Sequence, residues 1–333
     1  MTVSPLRPRR RGRPRIGLVL GAGGVLGAAW TAGALAALQQ RLPYPLGGVD
    51  LVVGTSAGSV LTAALRCGVG VDDIVAHQGG THLDALPHLG ELDRDAGPWP
   101  PLPRMRIGSP RLLFGTALAP HRVHPWVAAS ALVLQGRGRL RSLTTLVDAM
   151  VANDPAAVER WPGQETWIMA VDYEAGRRVA FGRTGSPAVP LPDAVVASCS
   201  IPGWYEPKVI GNRRYVDGGV RSSTSVDLLS KVDLDEVYVL APMASYEPDN
   251  PRQPAARLER LLRRVVTAVL TREVRKVRDT GARVTVLTPG PEDLRAIGVN
   301  MMDPARRSRV LETSLRTSPA ALAASARDAR RAA

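Results

Sequence analysis

Twice before residue 70, an apolar run of this 333-residue chain breaks into a glycine-rich turn and then resumes in helix-compatible residues. Ile16–Leu20 reads as a strand, the glycines from Gly21 to Gly27 as its turn, and the Ala/Leu-rich residues 28–39 as a helix. Residues 49–53 then read as a second strand, Gly54-Thr55-Ser56-Ala57-Gly58 as its turn, and 59–65 as the next helix. Strands joined through helices must lie parallel, because a crossover returns the chain to the same end of the sheet. The same rhythm continues downstream. A helix is expected at 143–152, strands at 166–171 and 178–182, and a helix at 192–198. A hairpin follows at 208–216, turning at Gly211-Asn212. Buried-type strands Glu236–Leu240 and Arg283–Leu287 flank an Arg-rich amphipathic helix over 255–279. The fold class is α/β with a mainly parallel sheet.

Residues 16–40 carry no charge and follow a basic stretch, which imitates a signal peptide or membrane anchor. Gly17, Gly21, Gly23, Gly24, Gly27 and Gly33 weaken any continuous helix there, so a soluble strand-turn-helix is the better reading. Hydrophobic residues make up 45% of the chain and charged ones 22%, enough for a sizeable core. Cys67 and Cys199 are too few for a disulfide framework and fall in no metal-ligand spacing, so a reducing, cytoplasmic setting and no metal are expected. The net charge is +13, and all but Lys208, Lys231 and Lys276 of the 43 basic residues are Arg. Six of these, Arg7 to Arg15, sit in a Pro/Gly-broken tail over residues 1–14 and just beyond. That tail suits a solvated arm or peripheral contact with anionic lipid. It lacks the interleaved aromatics of a single-strand nucleic-acid binder, so no nucleic acid is expected. Between about 71 and 140, eight prolines break up the pattern, and His77, His82, His88, His121 and His124 all fall there; this stretch reads as an irregular lid insertion. Residues 291–333 read as a helical, frayed tail after the main domain of 15–290.

The turn Gly21-Ala22-Gly23-Gly24-Val25-Leu26-Gly27 fails the dinucleotide fingerprint in spacing and lacks the ribose-binding acid, since no carboxylate precedes Asp50. No Gly-Lys-Ser/Thr follows, which excludes a P-loop. What remains is a tight packing turn or a set of backbone N–H groups at a helix N-terminus, suited to an anion or a developing oxyanion. Gly54 to Gly58 fits G-x-S-x-G between strand and helix, the context of a nucleophile elbow at Ser56. A Ser-acid-His triad in that chain order cannot be built, because no histidine follows His124. A carboxylate must then take the proton. Asp217, after the hairpin and before Gly218 and Gly219, has the distinctive setting, its glycines permitting close approach to Ser56.

In this order the three motifs resemble the patatin-like phospholipases. Ala197-Ser198-Cys199-Ser200-Ile201-Pro202 is similar to a further segment of that family, and the likeness runs over about 15–240. Two departures stand out: Leu26 occupies the place of the family's arginine and Ala22 that of its first glycine, while Arg221 to Ser225 replaces an Asn-x-Pro. The resemblance implies a patatin-like three-layer sandwich and a lipid acyl hydrolase using a Ser56–Asp217 dyad without a cofactor. Gly23 and Gly24, helped by Ala57, would supply the oxyanion hole. The implied substrate is a fatty-acyl ester or phospholipid, with the basic tail and lid residues such as Leu112, Leu113, Phe114 and Trp126 suited to membrane contact. An acyltransferase on the same dyad and a catalytically silent lipid-binding protein are the alternatives.

Overall fold

The computed structural model describes residues 13–81, 97, 99–152, 161–247 and 249–331, with side chains as far as 327. Most of the basic tail, together with His82 and His88, lies outside the described residues. Five parallel strands form the centre of the sheet: β1 (Ile16–Leu20), β2 (Leu51–Thr55), β3 (Thr166–Asp172), β7 (Glu236–Leu240) and β8 (Arg283–Leu287), in the order β3-β2-β1-β7-β8. The strands β4 (Arg177–Phe181), β5 (Lys208–Ile210) and β6 (Arg213–Asp217) join antiparallel on the β3 side. β1, β2 and β3 are buried along their whole length, as continuous apolar strands covered on both faces must be.

Alternation along β1 divides two cores. Leu18 and Leu20 point to a layer built from α1 (Gly24–Gln39), α2 (Ala57–Arg66), α6 (Arg141–Ala152), α7 (Leu191–Cys199) and α10 (Arg307–Arg331). Val19 points to the opposite layer, where α8 (Pro254–Arg278) supplies Leu270, Val274 and Val277. The result is a three-layer sandwich. Among the described residues four further helices are short: α3 (Val71–Gln78), α4 (Pro110–Leu118), α5 (Pro125–Ser130) and α9 (Pro291–Ile297). α3 packs on α1, whereas α4 and α5 bury Leu112, Val127 and Ala131 in a small cluster with Val171, Tyr173 and Val216. Within these helices Leu112 is core, while Phe114 and Trp126 stand out to solvent.

The first helix begins at Gly24, four residues earlier than helix propensity suggests, and so takes in Gly27. Tertiary space overrides propensity there, because Gly27 lies against Pro242 and Met301. α1 is apolar almost all round and buried between the sheet, α3 and α10. Its contact with α10 is close enough to exclude a side chain at Gly33: a Cβ there would sit 2.6 Å from Ser314 Oγ and 2.8 Å from the Leu315 nitrogen. Ser314 Oγ also donates to the Trp30 carbonyl at 2.6 Å. Further along α10, Ser325 accepts from the Val286 N–H at 3.1 Å and donates to its carbonyl at 2.7 Å, occupying backbone groups on edge strand β8. Among the described residues no helix is long and apolar enough to cross a membrane. Gly33→Leu is expected to lower stability by about 2–3 kcal/mol through overpacking. Urea unfolding checks this, and an unchanged midpoint would mean that α10 moves aside freely.

Candidate active site

Strand β3 determines where Ser56 and Asp217 meet. Along residues 168–172 one of its edges pairs with β4, so β2 (through Thr166 to Met169) and β6 (through Ala170 to Asp172) must share the other edge. β2 runs parallel to β3 and ends with Thr55 opposite Met169; β6 runs antiparallel and ends with Asp217 opposite Ala170. The two strands therefore run nose to nose, and Ser56, the residue after Thr55, arrives at Asp217. Ser56 and Asp217 are both buried there, and the serine hydroxyl lies close enough to the Asp217 carboxylate to favour its charged form.

Each partner is held by its own backbone. Ser56 adopts φ 53°, ψ −125°, a conformation a side-chain-bearing residue takes up only under constraint, at a cost of about 1–3 kcal/mol. The constraint is close packing on both flanks. A Cβ at Gly54 would lie 2.6 Å from the Ser59 Cα, and one at Gly58 would collide with the Leu20 carbonyl. Ser198 on α7 fixes the bend further: its Oγ accepts from the Ser56 N–H at 2.9 Å and donates to the Met169 carbonyl at 2.6 Å. Two residues on, the Ser200 carbonyl accepts the Asp217 N–H at 3.0 Å. One short segment thus braces both sides of the contact.

Asp217 Oδ1 accepts the Gly219 N–H at 2.7 Å. Burial pushes its carboxyl up to about 6, against the opposing pull of the Ser56 and Gly219 hydrogen bonds. The carboxylate is therefore charged at neutral pH yet basic enough to accept a proton. The Cys199 thiol also lies close by, 3.7 Å from the Ser59 hydroxyl. Burial and the Asp217 charge push that thiol up, so it stays neutral and unreactive.

The glycine turn abuts this pair. Gly58 lies against the Leu20 and Gly21 carbonyls, and a Cβ at Gly219 would stand 3.3 Å from Ala22 Cβ. The N–H groups of Gly21, Ala22 and Leu26 are taken by the carbonyls of Leu240, Ser223 and Met301, at 2.8 to 2.9 Å. Among the described residues those of Gly23, Gly24 and Ala57 have no intramolecular acceptor. Gly24 is required as glycine, since its φ is +58° and a Cβ would lie 2.7 Å from Met302 Sδ. Gly218 is equally confined, 2.5 Å by the same measure from the Met169 carbonyl. Leu26, in the position where an arginine was expected, is fully buried in the core above β1. Of the histidines, His77 is buried on α3, and His124 is held below its usual range by burial and by Arg221 and Arg178. Among the described residues no cluster of His, Cys, Asp or Glu could hold a metal.

Two supports of this site carry no local sequence signal. Met301 and Met302, far downstream, wall the glycine turn. Glu273 on α8 is buried and accepts from Ser222 Oγ at 2.9 Å and Thr224 Oγ1 at 3.1 Å, with Arg178 Nη1 3.9 Å away. It thereby anchors the loop whose Ser223 carbonyl holds the Ala22 N–H. Arg178 in turn makes a two-pronged pair with Asp227 at 2.7 and 2.8 Å. Burial and the Asp227 charge raise the Glu273 carboxyl, while Arg178 holds Asp227 low. Glu273→Ala is expected to lower stability by about 3 kcal/mol, because two hydroxyls lose a buried acceptor and the Arg178 guanidinium loses a neighbouring counter-charge. Denaturant unfolding measures this, and a loss below about 1 kcal/mol would show that the loop does not depend on that carboxylate.

The patatin-like phospholipase family profile matches residues 18–230, a span containing the glycine turn, Ser56 and Asp217. NTE family proteins of Mycobacterium tuberculosis and Mycobacterium bovis are 28% identical over 232 residues, 69% of this chain and 49% of theirs. The chain thus spans about half the length of these relatives. Among solved structures, VipD from Legionella pneumophila superposes with a TM-score of 0.46 at 14% identity, over 94% of this chain and 67% of its own. Human GIVD cytosolic phospholipase A2 gives 0.40 at 14% identity, over 98% and 61%. On the extent of the profile match, the chain belongs to the patatin-like phospholipase family.

Proposed function

We propose that this chain hydrolyses fatty-acyl esters, phospholipids among them, through an acyl-enzyme on Ser56. Ser56 Oγ attacks the ester carbonyl carbon while its proton passes to Asp217. The tetrahedral oxyanion accepts hydrogen bonds from the N–H groups of Gly23, Gly24 and Ala57. As the intermediate collapses, the carbon–oxygen bond to the alcohol breaks and Asp217 returns the proton to the leaving oxygen. Water then repeats the sequence on the acyl-enzyme: its proton goes to Asp217, the carboxylic acid departs and Ser56 Oγ regains its proton. The observation that carries this reading is the meeting of β2 and β6 on one edge of β3, which brings Ser56, held at positive φ, to the buried Asp217 carboxylate. The family supports the acyl-lipid substrate class, as do the exposed lid side chains Trp99, Leu102, Met105, Phe114, Leu118 and Trp126.

Labelling with a fluorophosphonate followed by peptide mapping tests the nucleophile. The adduct is expected on Ser56 of the wild type and absent from a folded Asp217→Asn variant; an inert wild type, or an adduct elsewhere, would remove the mechanism. The carboxyl at about 6 also gives a pH signature in both activity and stability. Catalysis needs the anion, so kcat/KM on a soluble short-chain ester is expected to rise through pH about 6 and level off above it. For stability, a raised folded-state value means that the native protein loses stability as pH rises from about 4 to about 6. Asp217→Asn, which removes the buried charge, is therefore expected to be more stable than wild type at pH 8 by up to about 3 kcal/mol, with the advantage gone below pH about 4. Equal stabilities at pH 8 would mean that the carboxylate carries no such burden.

A further inference from the structure

The first half of α8 is built inside out. Arg260 and Arg263 are 8% and 5% exposed, whereas Leu258, Leu261, Leu262 and Val265 are 60%, 55%, 54% and 38% exposed. The arginines are turned inward by ligands that only a guanidinium fork can satisfy. Arg260 donates to Asp249 at 2.6 and 3.1 Å, to Glu259 and to the Leu294 carbonyl. Arg263 donates to Glu259 at 2.7 and 3.0 Å and to the Pro242 and Ala244 carbonyls at 2.6 and 3.2 Å. With these residues facing the protein, the spacing i, i+3, i+4, i+7 places the four aliphatic residues on one outward ridge. Further along the helix the ordinary pattern returns, with Leu270, Val274 and Val277 buried.

The exposed charges on the helix itself are all cationic. Arg257, Arg264, Arg272, Arg275, Lys276 and Arg278 are exposed on the helix, and its two acids are committed, Glu259 to Arg260 and Arg263, and Glu273 to the loop hydroxyls. Tyr246, 47% exposed, lies beside Thr271. An aliphatic ridge with a cationic border and an adjacent tyrosine matches a surface that is apolar inside and negative at its face. A second copy would bring the same cations and a further +13 of net charge, which disfavours self-association through this face. We infer that the outer face of α8, centred on Leu258, Leu261, Leu262 and Val265, docks on an anionic lipid bilayer. This inference does not rest on the chemistry of Ser56. Its geometric consequence is that the bilayer lies close to the glycine turn, since Arg263 grips Pro242, which packs against Gly23 and Gly27.

Sedimentation of the full chain with phosphatidylcholine vesicles, with and without phosphatidylserine, tests it. Wild type is expected to pellet with the phosphatidylserine vesicles and to be released by salt. The variant L258S/L261S/L262S is expected to bind those vesicles about tenfold or more weakly with an unchanged melting temperature, these side chains being exposed. R257Q/R264Q is expected to weaken binding and flatten its salt dependence. Failure of wild type to bind, equal binding of the triple serine variant, or a wild-type dimer that this variant converts to monomer would each overturn the inference.

Discussion

One edge of β3 accommodates two strands arriving from opposite directions, and everything in the site depends on that collision. β2 brings a residue at the mouth of a helix, and β6 brings a carboxylate at the mouth of a turn; neither can continue, because the other occupies the next position along Ala170 and Met169. Both chains must bend away at once. Ser56 turns at positive φ and Asp217 folds back onto the Gly219 N–H. The strain and the buried charge are thus two results of one topological constraint. The local geometry is kept in place by Ser198 and Ser200, whose hydroxyl and carbonyl absorb the backbone groups that the bend leaves over.

The second dependency runs across the sheet. Glu273, from the helical layer opposite α1 and α2, reaches Ser222 and Thr224; Ser223 between them holds Ala22; and Ala22 begins the turn that presents Gly23 and Gly24. A charged group buried in one layer therefore sets the height of a backbone turn at the other end of a chain of hydrogen bonds. Such a network is rigid only when fully satisfied. Here the carboxylate has two hydroxyl donors and a nearby guanidinium, and Asp227 completes that guanidinium.

Where a signal was local, it was legible in the sequence. Ile16–Leu20, Glu236–Leu240 and Arg283–Leu287 are strands because uninterrupted aliphatic runs of that length between turn residues have little else to become. The hairpin turning at Gly211-Asn212 and the placement of Ser56 and Asp217 at strand ends also follow from short motifs. The start of α1 was not legible, since Gly24 and Gly27 enter the helix to satisfy distant neighbours rather than their own propensity. Neither were the partnerships of Met301, Met302 and Glu273 with the site, which connect residues widely separated in the chain and leave no period behind. The helix at Pro254–Arg278 shows the limit most clearly. Its amphipathic pattern was visible, but the side facing inward depends on Asp249, Pro242 and Ala244, and no periodicity reports where those oxygens lie.

The walls of the glycine turn also impose an order on biosynthesis. Strands β1 and β2 leave the ribosome long before Met301, whose carbonyl takes up the Leu26 N–H, and Met302, whose sulfur confines Gly24. The helix clamping α1 through Ser314 emerges later still. A nascent chain can pair β1 with β2 while the glycine turn between them and α1 still lacks its walls. Whatever chemistry the turn supports therefore waits until residues 301 and 302 have been made and have folded back onto it, a delay written into the topology.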